Sequence, residues 1–87
     1  MSNLILAIDQ GTTGTTCLMV RMASKDQGGV QVLGRGYSEF PQHFPQNGWV
    51  EHDLNEIWEA TTTAIKGSLE ASGVNPEDIA GIGITNQ

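Results

Sequence analysis

The sequence is poor in cysteine, in basic residues and in long hydrophobic runs, and each shortage argues against a class of protein. Its 87 residues include one cysteine, Cys17, so the chain can form neither an internal disulfide nor a metal site built from cysteines alone. Four lysines and arginines stand against ten acidic residues, for a formal net charge of −6. Because nucleic acids and anionic membranes bind clustered basic side chains, we expect neither as a partner.

The apolar runs are too short for a membrane span or a signal peptide. Residues 4–8 read LILAI, whereas a helix needs roughly 20 apolar residues to cross a bilayer. The preceding Met1-Ser2-Asn3 carries no basic side chain, unlike the start of a signal peptide. We therefore expect a cytoplasmic protein. Cys17 lies in an apolar run with no basic neighbour, so it is expected to be a buried structural thiol rather than a nucleophile.

The spacing of apolar and turn-forming residues predicts an α/β chain that begins with three strands. These strands are predicted over residues 4–9, 15–22 and 30–40. The first two form a hairpin, and a loop over residues 23–29 precedes the third strand. In that third strand, the alternation groups Val30, Val32, Gly34 and Gly36 on one face, as in a strand near a sheet edge.

A helix and a fourth strand follow a connection, residues 41–48, which two prolines and a glycine keep from being helical. Asp53 has the N-cap spacing of a helix start, and Gly73 fits its C-terminal stop. The apolar positions between them follow helical spacing, with Trp58 expected as a core anchor: Leu54, Ile57, Trp58, Thr61, Ala64, Ile65, Ser68 and Leu69. A capped turn over residues 75–78 leads to the last strand, 79–84, whose alternate glycines indicate close packing of the helix or a ligand.

Isolated polar residues around the helix start have ordinary structural interpretations. His43 and His52 lack a second histidine or cysteine at metal-ligand spacing, so surface or supporting roles are expected. Trp49 is expected to pack at the helix entry. Glu51 and Asp53 could suggest the carboxylate pair of a glycoside hydrolase, but helix capping explains Asp53 more simply.

The turn between the first two strands carries the strongest functional signal. It reads Asp9-Gln10-Gly11-Thr12-Thr13-Gly14, a carboxylate followed by glycines and hydroxyls. Backbone N–H groups and hydroxyls in such a turn suit phosphate oxygens, and the carboxylate suits Mg²⁺ held through water. The turn is no Walker loop, because no lysine lies nearby. An ordinary hairpin turn rich in glycine and threonine is the alternative interpretation.

The predicted order β-β-β-α-β corresponds to the first half of a ribonuclease-H-like layer. The actin, hexokinase and Hsp70 group of ATPases holds nucleotide phosphates at the turn between the first two strands of that layer. Three separated motifs make the similarity more specific: DQGTT at residues 9–13, GWVEHD at 48–53 and GITNQ at 83–87. In this order and spacing they resemble the N-terminal portion of the FGGY carbohydrate kinases, most closely the branch that phosphorylates glycerol.

That resemblance implies a site for ATP and Mg²⁺. Asp9 would lie near the Mg²⁺, through water, while the turn residues Gly11, Thr12, Thr13 and Gly14 would hold the phosphates. The resemblance places Thr12 nearest the transferred group. Asn86 and Gln87 lie at a strand's carboxyl end, where α/β folds tend to place ligands, so a substrate-side role is expected for them, with a structural polar turn as an equal alternative. The expected catalytic base lies downstream, so no catalytic residue is assigned in this chain.

Two positions depart from the family pattern. Gly14 stands among the positions where the resembling kinases carry small hydroxyls, and Thr16 stands where an arginine is expected near the nucleotide. Residues 1–87 are interpreted as the N-terminal part of the first kinase domain, without turnover of their own. In the full-length protein, which the resemblance allows to be homo-oligomeric, the implied reaction is ATP-dependent phosphorylation of a polyol, glycerol to sn-glycerol 3-phosphate.

Three alternatives remain open. The first is another sugar kinase such as xylulokinase. The second is a nucleotide-binding module of the actin and Hsp70 type without phosphotransfer to a small molecule. The third is a small domain that binds a partner through its acidic helix.

Overall fold

The structure is a computed structural model that describes residues 3–23, 29–41 and 53–86. Its elements are β1 (Leu4–Gln10), β2 (Gly14–Met22), β3 (Val30–Glu39), α1 (Leu54–Ser72), a single 3₁₀ turn (Pro76–Asp78) and β4 (Ile79–Asn86). The predicted order of three strands, a helix and a strand is confirmed. Several predictions lie outside the described residues, namely those for the loop residues 24–28, for residues 42–52 with His43, Trp49, Glu51 and His52, and for Gln87.

Within the described residues the strands form one mixed sheet in the order β3-β2-β1-β4. Strand β2 is antiparallel to both β1 and β3, whereas β4 is parallel to β1. Parallel neighbours need a long crossover, and the segment that contains α1 supplies it. The carboxyl ends of β1 and β4 therefore lie side by side, next to the turn that joins β1 to β2.

Both ends of α1 are fixed by the residues that the sequence indicated. The Asp53 carboxylate accepts hydrogen bonds from the backbone N–H groups of Asn55 (2.8 Å) and Glu56 (3.3 Å). At the other end Gly73 adopts a left-handed conformation with φ 70°, which a glycine adopts without steric cost. The capped turn predicted over residues 75–78 is present as the 3₁₀ turn. No helix in the described part of the chain is long and apolar enough to cross a membrane.

Helix α1 packs directly on the backbone of β3 and β2. A Cβ atom built on Gly36 would collide with the Ala64 carbonyl oxygen and lie 2.6 Å from the Ser68 nitrogen. One built on Gly34 would lie 2.5 Å from the Ser72 nitrogen. The helix presents small buried residues to these glycines, at positions 60, 64 and 68. The two glycines of β3 thus allow the close approach of the helix.

The core lies between α1 and the sheet. It contains one cluster of buried residues from β1, β2 and the helix: Leu6, Ile8, Cys17, Met19 and Ala64. Cys17 is completely buried, and this burial raises the pKa of its thiol. The prediction of a buried structural cysteine is confirmed.

The predicted face of β3 is wrong, because the strand contains an irregularity. Val20 pairs with Val32, but its neighbour Met19 pairs with Gly34, so Leu33 is an extra residue between two pairs. Since neighbouring residues of β2 point to opposite faces, Val32 and Gly34 also point to opposite faces. Val32 is consequently exposed, while Leu33 packs against the core.

The prediction that Trp58 anchors the core is also wrong. Trp58 is 67% exposed and Leu54 is 81% exposed, although both have the helical spacing of an apolar face. The helix contacts the sheet mainly through its small residues over β3 and β2. Side chains on the flank toward β4 therefore lie beyond the part of the sheet that α1 covers.

Strand β4 is longer than predicted, and its glycines do not contact the helix. The strand continues through Thr85 and Asn86, because these residues still pair with Asp9 and Gln10 of β1. No atom in the described part of the chain lies within 4 Å of a Cβ built on Gly83. Helix packing on these glycines, one of the two predicted explanations, is therefore wrong, whereas the ligand explanation stays a prediction.

Candidate functional site

The turn after β1 is short and open. The Gly11 N–H donates a hydrogen bond to the Gly14 carbonyl oxygen at 2.9 Å, and the Thr13 carbonyl oxygen accepts one from the Phe40 N–H at 3.2 Å. Thr12 and Thr13 are exposed. Among the described residues, a Cβ built on Gly11 would contact the Gly14 carbonyl oxygen alone, at 3.5 Å. The absence of a side chain at Gly11 therefore leaves this backbone open to approach by a ligand.

A cavity of about 750 Å³ lies between the first half of α1, the end of β1 and β4. Its walls are mainly apolar, and polar groups come from the turn and from the strand ends: Ile8, Gln10, Gly11, Thr12, Leu54, Ile57, Trp58, Thr61, Ile65, Ile82, Ile84 and Asn86. This volume is in the range of small-molecule sites, which combine apolar walls with a few polar groups. Among the predicted site residues, the structure brings Gly11, Thr12 and Asn86 together here, whereas Thr13, Gly14 and Asp9 do not line this cavity.

Asp9 lies at the same end of the sheet but on its other face. Its neighbours Ile8 and Gln10 line the cavity, so strand alternation directs Asp9 away from it. The Asp9 side chain is exposed, and its Oδ1 atom accepts a hydrogen bond from the Thr85 hydroxyl at 3.1 Å. The sequence analysis gave Thr85 no role. Parallel pairing of β4 with β1 would have predicted this contact. Each of the two strands ends in polar residues, and parallel pairing places those ends next to each other.

The two departures from the family pattern occupy different environments. Gly14 is buried, and a Cβ there would lie 2.7 Å from both the Tyr37 hydroxyl oxygen and the Ser38 carbonyl oxygen. Thr16 is half-buried and pairs with Asp9 on one side and with Tyr37 on the other. The ring of Tyr37 carries the guanidinium of Arg35 at 5.5 Å from its centroid. The glycine at position 14 thus makes room for Tyr37.

Between these two positions, Thr15 faces the helix and is fully buried. Its hydroxyl lies 3.4 Å from the Thr61 hydroxyl, which itself donates to the Ile57 carbonyl oxygen at 2.8 Å. Because the Thr61 proton is used in that bond, Thr15 is the donor to Thr61. The Thr15 hydroxyl therefore packs against α1, whereas Thr12 and Thr13 are exposed in the turn.

The donor set suits a magnesium ion that is held mainly by a nucleotide. In the part of the chain that the structure describes, no group of three or more histidine, cysteine, aspartate or glutamate side chains could hold a metal. Mg²⁺ does not need such a cage, because it keeps several waters and binds through one or two carboxylates together with substrate phosphates. The exposed Asp9 carboxylate next to the open turn fits that mode of binding.

Comparison with known proteins gives a consistent result. Residues 4–87 match the profile described as the FGGY family of carbohydrate kinases, N-terminal domain. The chain is 48% identical over 87 residues to a glycerol kinase of Rhizobium meliloti (strain 1021) and to one of Thermococcus onnurineus (strain NA1). In both comparisons the match covers 100% of this chain and 16% of the relative.

A solved structure matches as well. The crystal structure of a xyloylose kinase from Brucella ovis has a TM-score of 0.75 and is 29% identical in sequence. The match covers 97% of this chain and 16% of that protein. The 87 residues thus span about one-sixth of the length of the proteins to which they are similar.

Proposed function

Since the chain belongs to the FGGY family of carbohydrate kinases, we propose that the full-length protein transfers the terminal phosphoryl group of ATP to a polyol, with glycerol as the preferred acceptor. The product is then sn-glycerol 3-phosphate. The observation that carries this proposal is the joint position of Gly11, Thr12 and Asn86 in one cavity at the carboxyl ends of two parallel strands. Ligands of α/β folds bind preferentially beyond such strand ends.

The choice of glycerol is supported by the relatives and not by the site itself. Two relatives named glycerol kinase, from a bacterium and from an archaeon, are each 48% identical to the whole chain. The xyloylose kinase is 29% identical. A pentulose acceptor is therefore the second candidate, and the structural neighbour is the observation that favours it. Membership of a carbohydrate kinase family disfavours both a module of the actin and Hsp70 type and a domain that only binds a partner.

The fold supports a ribonuclease-H-like layer. Three antiparallel strands, a helical crossover and a fourth strand parallel to the first occur in the required order. We propose that residues 1–87 form the N-terminal part of the first kinase domain, and that they do not catalyse phosphotransfer alone. The acceptor-binding groups and the catalytic base then belong to the remaining length of the protein. We propose that the full-length protein acts in the cytoplasm on small molecules.

In the proposed mechanism the residues of the turn bind and orient the phosphates. The hydrogen bond between Gly11 and Gly14 fixes the shape of the turn, and we propose that its residues Gly11, Thr12, Thr13 and Gly14 hold the phosphates, with the exposed Thr12 hydroxyl donating to the oxygens of the group being transferred. Such donors stabilise charge as it redistributes during phosphoryl transfer. Mg²⁺, when bound with ATP, would neutralise charge on the phosphates, and Asp9 is the residue that would hold it, through water. We propose an acceptor-side role for Asn86 and Gln87, of which the structure describes only Asn86.

The proposal is tested by phosphoryl transfer in the full-length protein. ADP release is measured with Mg-ATP and a panel of acceptors that includes glycerol, D-xylulose, ribitol and water alone. We expect the highest kcat/KM with glycerol, and a product whose phosphorus resonance is that of glycerol 3-phosphate. A higher kcat/KM with xylulose would mean that the preferred acceptor is a pentulose, while the proposed kinase activity would stand. ATP turnover that is indifferent to every polyol and sugar would refute the proposed function.

A further inference from the structure

We infer that Thr85 is a positioning residue, which holds the Asp9 carboxylate in the orientation needed beside the metal–nucleotide complex. The inference rests on the proposed function and adds to it a residue from β4. Thr85 and Asp9 are direct partners in the parallel pairing of β4 with β1, at the carboxyl ends of both strands. Their side chains therefore lie on the same face of the sheet.

The contact has a defined direction. A carboxylate can only accept hydrogen bonds, so the Thr85 hydroxyl is the donor to Asp9 Oδ1, at 3.1 Å. This bond fixes one carboxylate oxygen and leaves the other, Oδ2, to accept from water near the phosphates. The hydroxyl is attached to a β-branched side chain, whose χ1 angle is restricted. The donor therefore has few alternative positions, and the plane of the carboxylate is restricted with it.

The position of Asp9 makes such an orienting contact necessary. Asp9 is exposed, and the opposite neighbour in its register is Thr16 rather than a residue of opposite charge. An exposed carboxylate without a fixed partner samples several rotamers. Binding that requires one of these rotamers loses the entropy of the others, which weakens the affinity. The hydrogen bond across the strands removes part of that cost before the nucleotide binds.

The test compares Thr85→Val with Thr85→Ser in the full-length protein. Valine keeps the shape of threonine but removes the donor, whereas serine keeps the donor. Binding of the Mn²⁺ complex of a non-hydrolysable ATP analogue is measured by electron paramagnetic resonance, and binding of the metal-free analogue is measured by calorimetry in EDTA. For Thr85→Val we expect Mn²⁺–nucleotide binding to weaken roughly three- to tenfold, as for loss of one ordinary hydrogen bond, because the contact is exposed, with metal-free binding unchanged. Thr85→Ser is expected to retain most of the affinity, because it keeps the donor although it lacks the β-branch.

Two controls separate positioning from a general structural effect. Thr62→Val removes a threonine hydroxyl that donates to the Glu59 carbonyl oxygen on α1, away from Asp9, and we expect no change in either affinity. In an Asp9→Ala background, which removes the acceptor of the Thr85 hydroxyl, Thr85→Val is expected to have no further effect on metal–nucleotide binding.

Three results would overturn the inference. One is full metal–nucleotide affinity in Thr85→Val, and another is an equal loss in Thr85→Ser. The third is an undiminished effect of Thr85→Val in the Asp9→Ala background, with circular dichroism of each variant as the check that it is folded. Absence of metal–nucleotide binding by the unmodified protein would refute the proposed function as well, and so would be distinguished from failure at Thr85 alone.

Discussion

The side chain of Thr12 allows the role of the turn to be tested at a single atom. Thr12 is exposed in the turn and also lines the cavity, so removal of its hydroxyl does not disturb the core. In the full-length protein we expect Thr12→Ala to lower kcat by about 10- to 100-fold. Loss of one transition-state donor typically costs about 100- to 1,000-fold, so the expected effect lies at or below the lower end of that range. The KM for glycerol should change by less, because the hydroxyl acts on the moving phosphoryl group.

Thr12→Ser, which keeps the hydroxyl, is the matched control for this prediction and should retain most of the activity. Steady-state kinetics at saturating Mg-ATP give both parameters. An unchanged kcat in Thr12→Ala would contradict a role for this hydroxyl in phosphoryl transfer.

The residues around Gly14 explain why this position carries no side chain. The Tyr37 ring lies over Gly14, with its hydroxyl oxygen and the Ser38 carbonyl oxygen each 2.7 Å from where a Cβ would stand. A serine at position 14 would therefore require both β3 and its tyrosine to shift. We interpret Gly14 as making room for the ring of Tyr37, which pairs with Thr16 two residues further along β2, a relation that only the pairing of β2 with β3 reveals.

At the scale of elements, the sequence was most informative where a local rule decides the outcome. Asp53 and Gly73 were predicted as helix ends because capping depends on a few neighbouring atoms. The course of β3 was mispredicted at Val32, since the extra residue Leu33 depends on pairing with β2. The exposure of Trp58 was missed because periodicity gives the face of a helix but not the strand against which that face packs.

The candidate site divides in the same way. The turn and the place of Asp9 at its start could be predicted, because they depend only on the consecutive residues 9–14. The Thr85 contact joins residues 76 positions apart. It depends on which strand lies beside β1 and in which register, and neither is encoded locally.

The contact of α1 with β3 supports a prediction about stability. Gly36→Ala introduces a methyl group against the Ala64 carbonyl oxygen and the Ser68 nitrogen, and backbone atoms cannot move aside as a flexible side chain can. We expect a loss of about 3 kcal/mol in the free energy of unfolding, the upper part of the usual range for overpacking. Urea unfolding of the 87-residue chain, followed by circular dichroism, measures this loss.

Gly83→Ala is the matched control for Gly36→Ala, because no described atom lies within 4 Å of the added methyl group. Its expected effect is within about 0.5 kcal/mol, as for an ordinary surface substitution. Equal effects of the two substitutions would mean that close approach of the helix is not what Gly36 provides.

At the scale of the whole molecule, the 87 residues leave an apolar surface uncovered beside the candidate site. Large apolar side chains on α1 and β4 are 63–81% exposed: Leu54, Trp58, Ile82 and Ile84. They line the same cavity as the turn. The chain spans 16% of the length of its curated relatives, and in a protein of their length further polypeptide would be available to cover this surface.

The uncovered surface leads to a prediction for the 87-residue chain in isolation. Contiguous exposed apolar groups bind hydrophobic dyes, so we expect the isolated chain to enhance the fluorescence of anilinonaphthalene sulfonate more, per mole, than the full-length protein does. The double substitution Ile82→Thr and Ile84→Thr keeps β-branched residues in β4. It replaces two of the four exposed apolar side chains, so we expect it to lower the enhancement by about half. The double substitution Val30→Thr and Val32→Thr, at exposed positions of β3 outside the cavity, is the matched control and should leave most of it. If the two pairs reduced dye binding equally, with unchanged circular dichroism, the dye would not be reporting the α1–β4 surface, and the exposed side chains there would not form one continuous apolar patch.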